Sequence, residues 1–176
     1  MAINVGIFGD STSLEHRFIQ DHDRLKELVG YWKKLGLRTV LTSGTFDLFH
    51  IGHAQYLEKA KALGDILIIG VDSDAKVRSR KGPSRPVVPE MERVQIISHC
   101  RHADVIFLKD VKDPSNNLIK LVSPDVLVVS SSTKHKKEIV AEKAKYCGEI
   151  VMLAPQSETS TSAKIRIMQI TTDKDE

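Results

Sequence analysis

The stretch Thr42-Ser-Gly-Thr-Phe-Asp-Leu-Phe-His-Ile-Gly-His53 stands where a β-rich run gives way to a helical pattern. Before it, residues 38–43 (RTVLTS) favour a strand, and after it apolar residues recur at helical spacing: Tyr56, Leu57, Ala60 and Leu63. The unpaired amides of a helix's first turn, together with the helix dipole, form an anion site. The junction therefore predicts a strand–loop–helix unit that binds an anion, such as a phosphate, where the helix begins.

The alternation of strand-like and helical patterns continues along the chain. Short runs rich in Val and Ile occupy residues 38–43, 66–71, 103–108, 126–130 and 149–153. Helical patterns lie between them, at residues 52–63, 89–100, 115–122 and 136–147. Because continuous apolar runs of this length are typical of strands buried on both faces, we predict an α/β fold with a doubly wound, Rossmann-like, five-stranded parallel sheet. Ligands of such sheets bind beyond the carboxyl ends of the strands.

The remaining segments suggest a division into an N-terminal extension (residues 1–36), a single α/β domain (37–170) and a polar tail (171–176). The extension contains an amphipathic helix at residues 23–35. Residues 74–89 are polar and basic and include Gly82, Pro83 and Pro86. We expect this segment to form a long loop over the active site.

The composition limits the classes of function. The chain has 176 residues, of which 41% are apolar and 28% are charged, a balance that argues against disorder. The net charge of +3 does not indicate nucleic acid as a partner, although local clusters of lysine and arginine suit a small anion. No stretch approaches the length of a membrane span. We expect a cytoplasmic protein with no membrane partner, and the sequence leaves open whether it forms a homodimer.

The chemistry of the first stretch depends on two glycines and two histidines. We expect Gly44 to let the backbone turn sharply and Gly52 to let a phosphate approach the main chain. His50 and His53 are three residues apart, so they project to one side of the opening turn and can both donate to phosphate oxygens. A pair of histidines could instead bind a metal or simply pack, but a metal would need a third ligand and more carboxylates than Asp47 alone.

The whole string, Gly-Thr-Phe-Asp-x-x-His-x-Gly-His, resembles the motif of the cytidylyltransferase-like nucleotidyltransferases. The Asp47-Leu-Phe-His50 order is similar to the cytidylyltransferase branch, because several adenylyltransferases of the superfamily carry proline after this Asp. A second stretch, residues 72–93 with Lys81-Gly-Pro-Ser-Arg-Pro86, resembles the adenylyltransferase domain of bacterial ADP-heptose synthases. The likeness extends over residues 25–168, so it implies that residues 37–170 are a nucleotidyltransferase domain.

The resemblance implies a role for each matching residue. His50 and His53 would contact the triphosphate and the transition state, Lys81 would bridge the α-phosphate and the incoming phosphate, and Arg93 would bind phosphate. The nucleotide-binding residues would include Gly44, Thr45, Phe46 and Gly52. Asp74 and Arg85 would bind the acceptor substrate. For Lys81 and Arg85, a solvated basic loop is the alternative interpretation.

A third element, Thr159-Ser-Thr-Ser-Ala-Lys-Ile-Arg166, resembles the family's hydroxyl-rich helix start that binds the β- and γ-phosphates. Two registers are open, and both place Thr161 and Ser162 on the phosphates, while one adds Arg166. A plain helix cap is the alternative. After the fourth strand this chain has Ser130-Ser-Ser-Thr133, where relatives carry glycine and charge. Ser130 is nevertheless assigned to the nucleotide by its position.

The resemblance implies transfer of a nucleoside monophosphate from a nucleoside triphosphate to a phosphorylated small molecule, with Mg²⁺ carried by the triphosphate. Our first expectation for the substrates is ATP with a heptose 1-phosphate. The alternative is CTP with glycerol 3-phosphate or a similar polyol or amino-alcohol phosphate. A hypothesis of another class is a nucleotide-binding module without catalytic activity. A nucleic-acid binder is not favoured.

Overall fold

The computed structural model describes residues 14–114, 116–131 and 137–156. Five parallel strands form one sheet: β1 (Thr39–Gly44), β2 (Ile66–Asp72), β3 (Val105–Lys109), β4 (Val126–Ser130) and β5 (Glu149–Leu153). The predicted five-stranded parallel sheet of an α/β fold is therefore confirmed. Its strands follow the runs of Val, Ile and Leu, and every residue of β2 is buried.

Seven helices are described in these ranges. They are α1 (Leu14–Arg17), α2 (His22–Lys34), α3 (Ile51–Lys61), α4 (Asp74–Lys81), α5 (Glu90–Ser98), α6 (Asn117–Val122) and α7 (Lys137–Ala144). The helix predicted at residues 23–35 is α2, which begins after Asp21, whose side chain accepts a hydrogen bond from the amide of Arg24. Among the described residues, no helix combines the length and the apolar character needed to cross a membrane.

Helices cover both faces of the sheet. On one face, α2 and α6 bury Leu25, Trp32 and Leu118 against Ile68 and Phe107 of the sheet. On the other, α3 and α5 bury residues including Leu57, Ala60, Val94 and Ile97 against the alternate residues of the same strands. The N-terminal extension thus contributes to the core, because its helix α2 supplies the buried side chains of Leu25, Val29 and Trp32.

The order of strands in the sheet is β3-β2-β1-β4-β5. The chain therefore builds outward from β1 in one direction and then crosses back to place β4 on the other side of β1. The point at which the order reverses lies between β1 and β4, and the crevice beyond their carboxyl ends is where such sheets bind ligands. The histidine-containing loop follows β1 at this point.

One expectation about local structure is wrong. Residues 74–81 form the helix α4 and not the first half of a long loop. Ser73 caps the helix by accepting a hydrogen bond from the amide of Lys76, an acidic residue stands in the first turn, and three basic residues stand in the last turn. The segment has little apolar periodicity because Val77 is its one buried residue, so the pattern gave no helical signal. The loop itself is confined to residues 82–89.

The N-terminal residues also protect an edge of the sheet. Phe18 forms a parallel bridge to Ile106 of β3, and the side-chain amide of Gln20 exchanges two hydrogen bonds with the backbone of Leu108. The buried side chain of Arg17 donates to the carbonyls of Ser98 and Cys100, where α5 ends. These contacts cover the outer edge of β3, which would otherwise present unpaired backbone groups.

Candidate active site

The loop between β1 and α3 owes its shape to two residues with left-handed backbone conformations. Phe46 has a φ of 53° and Leu48 a φ of 46°, values that residues other than glycine adopt infrequently. The expectation that Gly44 makes the sharp turn is wrong, because Gly44 is the last residue of β1 and its φ is not positive. Gly44 instead leaves space, since a Cβ there would lie 3.0 Å from the ring of Phe46.

His50 caps the helix α3. Its Nδ1 accepts a hydrogen bond from the amide of Gly52 at 3.1 Å, and its carbonyl accepts from the amides of His53 and Ala54. A ring nitrogen that accepts carries no proton, so the neutral ring of His50 has its proton on Nε2. The amides of the first turn are therefore engaged by His50. Anion binding at this helix start would rest on the imidazole rings and the helix dipole more than on the amides. We had expected Gly52 to let a phosphate approach the main chain, but its amide already donates to His50.

His53 lies against His50 in a small aromatic group. The two imidazole centroids are 4.0 Å apart, and the ring of His53 also contacts Phe46 edge-on at 5.5 Å and Phe49 at 5.4 Å. This packing fixes the orientation of the ring before any ligand binds. The structure thus brings the two predicted histidines together on the helix start, as their spacing indicated.

Asp47 joins the histidine-containing loop to residues 82–89. Its buried carboxylate accepts hydrogen bonds from the amides of Val87 and Val88 at 3.0–3.1 Å and lies 2.7 Å from Nη2 of Arg85. Burial alone would raise the pKa of Asp47, but the two amides and the guanidinium of Arg85 outweigh burial and hold the pKa below its usual value. Asp47 is therefore a carboxylate that anchors the second loop and is not available to bind a metal ion.

Arg93, which we expected to bind phosphate, lies beneath the loops. Its side chain has no exposed surface. Four of its N–H groups donate to oxygens of three segments: the carbonyls of Thr45, Asp72 and Val88, and Oδ1 of Asp74. In this conformation Arg93 organises the site from below, and a direct bond to phosphate would require it to leave these partners. The phosphate contact stays a prediction.

Asp74, predicted to bind the acceptor, is part of the same network. Its carboxylate accepts from Arg93 and lies 3.5 Å from Nη2 of Arg78, and its amide donates to Glu90 at 2.6 Å. These bonds fix the start of α4 against the start of α5. The structure therefore gives Asp74 an architectural contact, and its contact with an acceptor stays a prediction.

Lys81 ends α4 and stands at the entrance of the 82–89 loop. Partial burial lowers the pKa of Lys81, and the positive charges of Arg85 and Arg80 lower it further. A cation held under such repulsion is stabilised when an anion binds beside it. Lys81 therefore has the electrostatic setting that a phosphate-binding residue needs, although the structure does not test the predicted bridging role.

Three predicted nucleotide-binding residues, Thr161, Ser162 and Arg166, lie outside the described residues. Ser130 ends β4, the strand that borders β1 at the reversal of strand order. Tyr56 of α3 ties these two strands together, because its hydroxyl bonds Thr42 Oγ1 at 2.8 Å and the carbonyl of Val128 at 3.3 Å. Burial raises the pKa of Tyr56 to about 12, so the hydroxyl keeps its proton.

Sequence reasoning missed the roles of Asp47 and Arg80. Nη2 of Arg80 pairs with the buried carboxylate of Asp72 and lies 3.5 Å from Oγ1 of Thr45. The motif did contain Asp47, so its position within a loop of functional residues was a usable signal. The pairing of Arg80 had no such signal, because it depends on how the unpredicted helix α4 folds back over the end of β2. Within the described ranges, no group of three His, Cys, Asp or Glu side chains is arranged to hold a metal ion.

A comparison with protein families places this chain in a known class. The cytidylyltransferase-like family model matches residues 41–168. The chain belongs to the cytidylyltransferase-like family. The membership confirms the predicted class of nucleotidyltransferase enzyme.

Two curated relatives are bifunctional proteins named HldE. The chain is 36% identical over 149 residues to the bifunctional protein HldE of a Nitratiruptor species, covering 85% of this chain and 32% of the relative. It is 39% identical over 150 residues to the bifunctional protein HldE of Helicobacter acinonychis (strain Sheeba), covering 85% and 31%. This chain thus spans about a third of the length of the curated relatives it matches.

Solved structures agree on the fold. A lipopolysaccharide core biosynthesis protein from Thermoplasma volcanium GSS1 superposes with a TM-score of 0.61 at 29% identity, covering 69% of this chain and all of that one. Pantoate-beta-alanine ligase from Francisella tularensis superposes with a TM-score of 0.63 at 14% identity, covering 81% and 68%. The second likeness shows the fold alone.

Proposed function

We propose that this chain transfers AMP from ATP to a heptose 1-phosphate, forming an ADP-sugar and releasing pyrophosphate. The observation that carries the proposal is the pairing of His50 with His53. Their imidazole centroids are 4.0 Å apart, and they lie at the start of α3, where the strand order reverses. The 82–89 loop, which carries Arg85 and follows Lys81, is tied to the same site through Asp47. Imidazole donors from one segment and cations from another would therefore converge where a triphosphate binds.

The reaction suits the groups present. A phosphate monoester carries nearly two negative charges at neutral pH, so its oxygen is a competent nucleophile without a protein base. That oxygen attacks the α-phosphorus in line, the bond from phosphorus to the bridging oxygen breaks, and the electron pair leaves with pyrophosphate. The task of the protein is to bring anions together and stabilise charge in the transition state. His50, with its proton on Nε2, and His53 would donate to the phosphate oxygens, and Lys81 would bridge the two reacting phosphates.

The proposal includes Mg²⁺ bound to the triphosphate, where it would neutralise charge on the leaving pyrophosphate. The donor set of the protein fits an ion that arrives with the nucleotide. Asp47 is the carboxylate nearest the histidines in the sequence, and both of its oxygens are already engaged by Val87, Val88 and Arg85.

The choice of ATP and a heptose phosphate rests on likeness to relatives. Residues 72–93 resemble the adenylyltransferase domain of ADP-heptose synthases, and two curated relatives that are HldE proteins are 36% and 39% identical to this chain. Those relatives are about three times as long as this chain, so the pairing of this activity with any other in one polypeptide is a separate question.

One observation favours CTP and a polyol phosphate as the second candidate. Leu48 follows Asp47 where several adenylyltransferases carry proline, and its φ of 46° is a conformation that the proline ring, fixed near −65°, does not allow. The loop of this protein therefore differs in backbone shape from loops that contain proline. This difference separates the chain from the proline-bearing adenylyltransferases and leaves CTP to be tested beside ATP.

The test is a pyrophosphate-release screen of four nucleoside triphosphates against heptose 1-phosphate, glycerol 3-phosphate and other sugar and polyol phosphates, with Mg²⁺. We expect release with ATP and heptose 1-phosphate. Release with CTP and a polyol phosphate would support the second candidate. Binding of ATP and CTP without acceptor, measured by calorimetry, separates base choice from acceptor choice. Tight nucleotide binding with no release for any pair would favour a module without catalytic activity.

A further inference from the structure

A basic cluster surrounds Asp72 at the carboxyl ends of β2 and β3. Asp72 and Lys109 are neighbours in the register of these two strands, and Nζ of Lys109 lies 3.2 Å from Oδ1 of Asp72. Arg80 of α4 pairs with Oδ2 of the same carboxylate. Both oxygens of this buried carboxylate are therefore occupied by cations. We call Asp72 with Lys76, Arg80, Lys109 and Lys143 the Asp72 cluster.

Two of its lysines have no carboxylate partner among the residues the structure describes. Lys76 donates to the carbonyl of Asp110 at 3.1 Å. Lys143 of α7 interacts electrostatically with Lys109 and Asp72. Burial lowers the pKa of both ammonium groups, and repulsion from Lys109 lowers each further. Arg80 and Lys109 pair with the buried carboxylate of Asp72, and Lys76 and Lys143 are two further cations that interact with its charge, so an added anion would stabilise the group.

Acidic side chains at the rim do not remove this excess. Glu142 accepts a hydrogen bond from Asn116 Nδ2, Asp113 accepts from the amide of Asp110, and Asp110 accepts from the amide of Lys112. These donors are neutral and leave the carboxylate charges in place, so Asp113 acts to raise the pKa of Lys76 and Glu142 acts to raise that of Lys143. Their charges reduce the local potential, but the repulsion among the lysines persists.

The Asp72 cluster lies beside the histidine-containing loop, on the opposite face of the sheet from His53. By strand alternation, Asp72 and Lys109 continue the sheet face that α2 and α6 cover, whereas His53 and Phe46 belong with the opposite face. Arg80 connects the two sides, since its Nη2 lies 3.5 Å from Oγ1 of Thr45. Gly70 lets the side chains of Lys109 and Ser43 pack close to the backbone of β2, because a Cβ at this position would lie 2.7 Å from atoms of both.

We propose that the Asp72 cluster binds the phosphate of the acceptor substrate, a sugar or polyol phosphate, before transfer. The inference rests on the proposed function and assigns one side of the site to each anion. In-line displacement requires the attacking oxygen and the leaving pyrophosphate to lie on opposite sides of the α-phosphorus. A triphosphate at the histidines and an acceptor at the Asp72 cluster would approach Thr45 from two sides. Lys76 and Lys143 are then acceptor-binding residues that no motif indicates.

The first experiment compares Lys143→Met with Lys145→Met. Lys145 is exposed and follows the same helix, so it is a matched control for loss of a lysine. We expect Lys143→Met to raise the KM for the acceptor about tenfold, the loss of one charge-assisted hydrogen bond, with kcat and the KM for the nucleotide within about twofold. Lys145→Met should match the wild type. An unchanged acceptor KM, or an equal rise in the nucleotide KM, would overturn the proposal.

The second experiment does not depend on turnover. Lysine side chains are labelled by ¹³C reductive methylation, and their pKa values are followed by NMR while glycerol 3-phosphate or inorganic phosphate is added. We expect the pKa of Lys76 and Lys143 to rise and that of Lys145 to stay constant. Absence of a rise with either ligand would refute the site even in an active enzyme. A rise in a protein that releases no pyrophosphate would uphold the site and reject the proposed reaction.

Discussion

Oδ2 of Asp47 lies 2.7 Å from Nη2 of Arg85, and the same carboxylate accepts hydrogen bonds from the amides of Val87 and Val88. One buried side chain of the histidine-containing loop thus holds three residues of a second loop that comes from the far end of α4. The geometry of the candidate site depends on this joint, because it positions Arg85 of the 82–89 loop relative to the histidine-containing loop.

Asp47→Asn should lower the free energy of unfolding by about 1–3 kcal/mol at pH 7, because Arg85 and a backbone amide lose their acceptor. The pKa of Asp47 is below its usual 3.8, so its contribution is present above about pH 4 and is lost as the pH falls through the folded-state value. Urea unfolding at several pH values should show a constant difference in the free energy of unfolding between wild type and variant above about pH 5. This difference should narrow below about pH 4. Asp23→Asn, on the exposed start of α2, is the control. A gap that persists unchanged into acid would contradict this account.

His50→Ala and His53→Ala should each lower kcat by about 10²–10³-fold, because each removes a donor to charge that develops in the transition state. His99→Ala, at the exposed end of α5, should leave pyrophosphate release unchanged. His50 also caps α3, so His50→Asn is needed to separate the two roles. The Asn variant should recover the melting temperature and stay impaired. Near-normal release by both alanine variants would place the active site elsewhere.

Arg93→Lys should lower the free energy of unfolding by about 3–5 kcal/mol, because a single ammonium group cannot replace four N–H donors and leaves Asp74 without its buried partner. The exposed Arg101→Lys is the control for loss of a guanidinium. We expect kcat to fall together with stability, as for a residue that positions Thr45 and the 82–89 loop. Unchanged stability with a raised KM for the nucleotide would instead make Arg93 a direct phosphate ligand.

Gly82→Ala should cost about 1–2 kcal/mol of unfolding free energy, because Gly82 has a φ of 93° where a side chain is strained. No atom lies within 4 Å of the added Cβ, so the backbone conformation is the sole cause. Gly30→Ala in α2 has the same open surroundings and an ordinary helical backbone. It should therefore stabilise the protein by about 0.5–1 kcal/mol. Thermal unfolding of the two variants in opposite directions would verify the strain, and equal shifts would disprove it.

The sequence by itself was enough for the sheet. The runs of Val and Ile predicted the five strands to within two residues at either end, because a strand buried on both faces must be apolar throughout. The histidine-containing loop was also predictable, since a strand end, a loop and a helix start are neighbours in the chain. The helix α4 was not, because its stability comes from a serine cap and end charges while its apolar face is one valine.

Tertiary structure decided which charges meet. Arg93 looked like a phosphate ligand in the chain and lies buried among carbonyls of three segments. Asp72 and Lys109 come from β2 and β3, and they pair because these two strands are neighbours in the sheet. Apolar periodicity is local, so the sequence displays it. The pairs Asp47–Arg85 and Asp72–Lys109 join residues that are distant along the chain, so they form when folding has brought their segments side by side.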